Sequence, residues 1–480
     1  METLKAVLAF IANNVFGQVP VLIGLITFAG LALQRKRVEE LIGGTLRATI
    51  GVVVLFIGVD VFVEGLTGFQ AVLASAMGTT PPQSDRTLAD FLGQHGGTVA
   101  LVITVAFAMH LLLVRLFPAA RYLYLTGHLM FWISAVTVAT LVEIAPDANQ
   151  LTLVLCAAGV VAAYWTLQPL WMRPLMRKVL PDDRFGYGHT SSLTCVLTGL
   201  MARPLGSNAR HDTEKLRVPR QLSFFKDVNV STALVISVLM LVAVVFADRA
   251  VVAEQATAIS DTLSPWMWWL IIGLRFAAGI AILLFGVRMF LAEIVPAFKG
   301  LSDKVIPGTR PALDAPTVFP VAPTAVLVGF VSATVLFLAL IGVFAAADWF
   351  TLAPPMIMLF FVGGAVGVFG NAVAGWRGAV LGGLLTGVTL AVGQALTWGM
   401  LDSTAPELAT LADPDWYALA WLLTLAEPLG GGAAIWAVPA IAVTVTVLVL
   451  LWLQRRAARR ERLATAGEDE QQTTTASTRP

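Results

Sequence analysis

Two glycine–histidine pairs stand out in a chain made mostly of apolar residues. They are Thr126-Gly127-His128-Leu129 and, 61 positions further on, Gly188-His189-Thr190-Ser191-Ser192. An imidazole both donates and accepts hydrogen bonds near neutral pH, and the hydroxyls beside His189 add more such groups. That chemistry suits a polyhydroxylated ligand such as a sugar or an enediol. A third group, Asp314, lies in a segment crowded by Pro311, Pro316, Pro320 and Pro323. It can accept two hydroxyl hydrogens from one ligand, or simply cap a helix. Ionisable groups within apolar segments are costly and are functional hypotheses by default. By contrast, no nucleotide-binding glycine loop, Cys/His metal cluster or nucleophile elbow occurs, so no cofactor or metal is expected and a pump driven directly by ATP is disfavoured. Cys156 and Cys195, both in apolar segments, read as buried free thiols.

The elements that position these groups must be membrane helices. Of 480 residues, 57% are hydrophobic and 13% charged, which no soluble globular domain matches. A bilayer core of about 30 Å needs ~20 apolar residues as helix. Such runs fall near 6–33, 48–66, 98–114, 123–144, 150–171, 228–247, 266–294, 319–347, 353–374, 378–399 and 433–453. The expected class is therefore an all-α polytopic membrane protein of about eleven spans, with re-entrant hairpins; the absence of strand-type alternation argues against a barrel. Net charge is +1, but loop Lys/Arg placement sets orientation. Arg35-Lys36-Arg37, Arg115, Arg121, Arg173, Arg177, Lys178, Arg184, the 203–226 segment, Lys299, Lys304, Arg377 and Arg455-Arg456 fall on one side. Glu143, Asp147, Asp248, Glu254, Asp261, Asp402, Glu407, Asp413 and Asp415 fall on the other. This places the N-terminus outside and the C-terminus in the cytoplasm. The first apolar run is too long for a signal core and ends in basic residues, as an uncleaved span does. Residues 456–480 contain little to bury and read as a disordered cytoplasmic tail.

The chain also carries traces of an internal repeat. Gly58-Val59-Asp60-Val61-Phe62 matches Gly286-Val287-Arg288-Met289-Phe290 at an offset of 228, and Pro82-Gln83-Ser84-Asp85 matches Pro311-Ala312-Leu313-Asp314 at 229. By the charge assignment the matching spans run in opposite directions. The halves, about 1–205 and 225–400, then form two inverted five-helix repeats, with 433–453 as an extra helix. Inverted repeats are a signature of alternating-access transporters, whose sites lie at the repeat interface among broken helices. The 185–205 segment, short and hydroxyl-rich after Pro181-Asp182-Asp183, reads as one such hairpin, and the proline-crowded 311–323 segment as its counterpart. Arg288 with Glu293, and Asp60 with Glu64, are expected to make interhelical pairs between the repeats. His110 reads as a lining or interfacial residue, and His95 and His211 as loop residues.

A family resemblance rests on several strings. They are Leu125-Thr126-Gly127-His128-Leu129-Met130-Phe131, Gly186-Tyr187-Gly188-His189, Phe225-Lys226-Asp227-Val228-Asn229-Val230-Ser231-Thr232-Ala233 and Gly286-Val287-Arg288-Met289-Phe290-Leu291-Ala292-Glu293. Ile306-Pro307-Gly308 and Gly367-Val368-Phe369-Gly370-Asn371 extend it. Together they resemble the membrane (IIC) component of the ascorbate-specific phosphotransferase system, over residues 1–455. The resemblance implies a homodimeric, elevator-type permease in a bacterial cell membrane. It would take L-ascorbate from outside and present it to a separate cytoplasmic IIB protein, served by IIA, for phosphorylation. It would be a transport subunit with no enzymatic residue of its own. His128, His189 and Asp314 match the family's sugar-binding residues and Gly58 a glycine lining the site. The family commonly has glutamine where this chain has Phe56, Trp132 and Thr190, serine at Val59 and tyrosine at Thr87, which puts the identity of the sugar in question. Trp132 is suited to stack on an apolar ring face. Two other readings stand beside this one. The first is an ion-coupled transporter of the same fold using Asp60, Asp314 or Glu293; the second is a membrane enzyme using His128 and His189 as acid and base.

Overall fold

The computed structural model describes residues 18–79, 84–215, 228–411 and 413–477, together with Phe10, Asn14 and Pro82. The first half contains α1 (Val19–Leu33), α2 (Val38–Met77), α3 (Leu88–Leu116), α4 (Gly127–Ile144), α5 (Gln150–Val179) and the short α6 (Ser192–Met201). The second contains α7 (Val228–Phe246), α8 (Arg249–Ile259), α9 (Trp268–Lys304), α10 (Pro323–Ala346), α11 (Met356–Ala374), α12 (Trp376–Trp398), α13 (Pro414–Thr424) and α14 (Gly431–Ser477). Among the described residues, nine helices are long and apolar enough to cross a membrane. Each of the eleven apolar runs contains a helix, but α1 and the apolar part of α7 are shorter than that limit.

Three short strands depart from the all-α expectation. β1 (Tyr122–Tyr124), β2 (Gly186–Tyr187) and β3 (Arg310–Leu313) form a parallel sheet in the order β1-β3-β2. Two to four residues are too few to show alternation, and β1 is buried on both faces. Such backbone is tolerated at membrane depth only when enclosed by protein, and helices α3, α5 and α9 pack around it. The tail differs as well: the backbone stays helical to Ser477, where composition predicts disorder from 456. Alanine, arginine and glutamate, all good helix formers, fill the stretch after Leu453.

α2 and α9 run antiparallel in the most extensive helix–helix packing among the described residues. A Cβ on Gly58 would lie 2.4 Å from Leu283 N and 2.6 Å from Gly279 O; one on Gly286 would lie 2.3 Å from Leu55 N and 2.7 Å from Gly51 O. Each residue of the first contact maps onto one of the second at an offset of 228. Two ion pairs flank the crossing, Arg47–Glu293 at 2.5 Å and Arg275–Glu64 at 2.6 Å, and Arg47 and Arg275 are again 228 apart. Glu293 and Glu64 thus pair across the halves, with partners other than Arg288 and Asp60. Gly58 is needed for this backbone approach, where any side chain would overpack.

Candidate functional site

The small sheet brings three distant segments to one point. β1 leads into His128, β2 into His189 and β3 into Asp314. The pairing continues past the strands through Leu125 N–H to Ala312 O (3.1 Å) and Gly188 N–H to Leu313 O (2.7 Å). The Thr126 hydroxyl donates to Gly188 O. Gly188 packs closely on β3, where a Cβ would stand 3.0 Å from Ala312 O. His110 secures β1 from behind: its Nε2 accepts from Tyr124 N–H (3.1 Å), and its Nδ1 lies 2.9 Å from the Thr166 hydroxyl. Since that hydroxyl donates to Ala162 O, His110 is a neutral, fully paired structural histidine and not a lining one.

At the leading end of the strands, Asp183 accepts from the Tyr122 hydroxyl (2.6 Å), Arg173 (3.0 Å) and Arg177 (3.2 Å), and pairs with Arg310. Burial alone raises this carboxyl, but the bonds from Tyr122 and Arg173 and the charges of Arg173 and Arg310 outweigh it and hold the group below its ordinary value.

At the trailing end, Asp314 stands between two imidazoles. Its carboxylate oxygens lie 3.6 Å from His128 Nε2 and 3.7 Å from His189 Nε2. Its own firm bond is to Ala315 N–H, 2.7 Å, as the cap of a short 3-10 turn. Both imidazole distances exceed a direct hydrogen bond and are spans that a bridging hydroxyl or water fills. His189 Nδ1 accepts from Ser191 N–H at 3.1 Å, which fixes the neutral tautomer with the proton on Nε2, facing Asp314. The other ring nitrogen of His128, Nδ1, is buried without a partner among the described residues. These three groups open on a cavity of about 380 Å³. His128, His189, Asp314 and Asp413 form its polar wall. Leu55, Phe56, Leu129, Trp132, Phe361 and Trp416 dominate the rest. Trp132 and Trp416 stack with ring centroids 5.9 Å apart.

Asp413 and Asp415 are the residues the sequence reading missed. Expected in an acidic outer loop, both are buried. Their segment folds back so that α13 begins at Pro414, and Asp415 N–H donates to Thr190 O at 2.9 Å. Asp415 accepts from the Tyr164 hydroxyl (2.6 Å), from Ser192 N–H (3.2 Å), from Leu193 N–H (2.9 Å) and from the Ser192 hydroxyl. It therefore caps the start of α6, where an anion is favoured. Asp413 accepts from the Thr190 hydroxyl. The tip after β2 and the tip before α13 thus meet. Two carboxylates and a tryptophan around a proline in an otherwise apolar run were the signal.

Of the other expected site residues, Trp132 lines the cavity and Thr190 lies one layer behind it. Gly58 sits at the α2–α9 crossing. Thr87 caps α3, its hydroxyl exchanging bonds with Asp90. Neither Gly58 nor Thr87 is among the residues lining the cavity. The side chain of Val59 lies outside the described residues. Cys156 and Cys195 are buried free thiols.

Comparison with known proteins bears on this site. The sequence pattern of a family described as "PTS system sugar-specific permease component" matches residues 14–415. The chain is also similar to a Mycoplasma pneumoniae protein named "Ascorbate-specific PTS system EIIC component". The two are 27% identical over 420 residues, covering 77% of this chain and 63% of that protein. The chain thus spans less than two thirds of that relative's length.

Proposed function

Because the chain belongs to the family of phosphotransferase-system sugar-specific permease components, we propose that it is the membrane subunit that binds L-ascorbate or a related sugar acid or lactone outside the cell. It presents that solute to a separate cytoplasmic IIB protein, itself charged by IIA. Phosphorylation there adds charge to the product and makes uptake one-way. The chain itself is a multi-pass membrane permease component that supplies binding and passage, while phosphoryl transfer resides in its partner. Its setting is a bacterial cell membrane, as a homodimer, with the C-terminus in the cytoplasm.

The observation that carries this reading is the convergence of His128, His189 and Asp314 on one cavity, at distances that leave space for ligand hydroxyls. Alternating access is supported by the α2–α9 crossing, whose contacts repeat at a single offset in antiparallel helices. That is the relation an inverted repeat produces. Carriage proceeds by an elevator-like movement of the part bearing these hairpins.

The test is uptake of labelled L-ascorbate and sugar lactones into vesicles containing the full chain, with IIA, IIB and a phosphoryl donor inside. Accumulation of phosphorylated product is expected. Accumulation of unmodified solute without a donor, abolished by an uncoupler, would sink the phosphotransferase reading. It would support instead an ion-coupled carrier, for which Asp314, with no lysine or arginine beside it among the described residues lining the cavity, leaves a carboxylate open to a coupling ion. Glu293 is less suited to that task, being paired with Arg47.

A further inference from the structure

Asp413 and Asp415 stand two residues apart at the start of one helix, yet their surroundings differ sharply. Asp415 receives four hydrogen bonds from side chains and backbone. A carboxylate offers about four acceptor positions, so Asp415 is satisfied by the protein and structural. Asp413 receives one side-chain bond, from Thr190, and lines the cavity. Its side chain is 4% exposed, and its Oδ2 lies 3.9 Å from His189 Nδ1. Because that nitrogen already accepts from Ser191 N–H, it holds no proton for Asp413 while the ring is neutral. His189 is therefore flanked by two carboxylates, Asp314 at Nε2 and Asp413 at Nδ1, and only the first faces an N–H. Unused acceptor capacity on Asp413 faces the cavity.

No lysine or arginine is among the described residues lining that cavity. Two carboxyl groups on a mostly apolar cavity, with no lysine or arginine to offset them, disfavour a ligand's negative charge and pair with its hydroxyls. The same cavity is lined by the stacked Trp132 and Trp416, and an indole suits the apolar face of a ring.

We propose that Asp413 is a ligand-contacting residue that sets specificity: together with Asp314 it selects neutral, hydroxyl-rich ring compounds, such as an uncharged sugar lactone, over anions such as L-ascorbate at neutral pH. This rests on the cavity being the solute site of the proposed permease, and names its preferred substrate class.

The experiment is calorimetric titration of the purified full chain at pH 7 with two probes, L-gulono-1,4-lactone, which is neutral, and L-ascorbate, which is an anion. The wild type is expected to bind the lactone about tenfold more tightly, a ratio typical of one charged or hydrogen-bonding contact. In Asp413→Asn the two affinities should converge to within about threefold, through tighter ascorbate and weaker lactone binding. Thr190→Val, which leaves the Asp413 carboxylate in place, should keep the wild-type preference for the lactone. An ascorbate preference in the wild type overturns the inference without any variant, and so does an unchanged ratio in a folded Asp413→Asn protein. In both cases the permease reading survives, since a probe still binds. Failure of both probes to bind the wild type removes that reading and the inference together.

Discussion

The two ends of the small sheet each place one aspartate among basic groups, and they are built to opposite ends. At the leading end Asp183 is enclosed by Tyr122, Arg173, Arg177 and Arg310 at hydrogen-bonding distance. At the trailing end Asp314 faces two imidazoles from 3.6 and 3.7 Å and touches neither. A carboxylate that the protein satisfies holds the fold, whereas one it leaves short of partners keeps capacity for something else. The four residues of β3 carry Arg310 at one of these ends and lead into Asp314 at the other, so the tight knot fixes the position of the open one.

Replacing the two aspartates in parallel tests that contrast. The largest effect is expected from Asp183→Asn. Removing one partner of a buried ion cluster costs about 3 kcal/mol, near the lower bound because the arginine heads reach solvent, and a thermal melt in detergent should show a clear drop. The sign of its pH dependence follows from the lowered carboxyl of Asp183. Its stabilisation is present above the ordinary aspartate value and is lost as pH falls through the depressed one, so mutant and wild type should converge in acid. His189→Ala comes next, with ligand affinity reduced ~30-fold, equivalent to about 2 kcal/mol for leaving a buried ligand hydroxyl without its partner. Its melting temperature should fall only slightly, since the one bond lost within the protein is to Ser191 N–H; unchanged affinity would remove His189 from the site. The smallest effect is on the stability of Asp314→Asn. The amide oxygen can still cap Ala315, and the charge it removes is not closely paired, so stability should hold or rise by up to about 1 kcal/mol. A loss as large as that at Asp183 would erase the distinction between the two ends.

Much of this was legible in the chain. His128, His189 and Asp314 were readable because polar groups are costly in apolar runs, and that rule does not depend on knowing the neighbours. The α2–α9 crossing was readable at Gly58 and Gly286, because helix crossings this close admit little but glycine. The sheet was not readable, since strands of two to four residues carry no periodicity. Asp413 and Asp415 were misplaced for a different reason. A charge-counting rule assigns acidic residues to outer loops, and only the fold reveals that α13 returns its first turn to the site. Trp416 was hidden with them, arriving beside Trp132 from 284 positions away.

The glycine crossing of α2 and α9 bears on energy balance as well as packing. Contacts that map onto themselves when the two halves are interchanged contribute equally to an arrangement and to its inverse. If the halves exchange roles as proposed, this joint is energetically indifferent to which way the site faces. Any resting preference must then arise in parts outside the crossing, such as α14, the helix beyond the five expected in each half. Mutations that bias the resting direction of the carrier are therefore to be sought along α14, and not at the pivot.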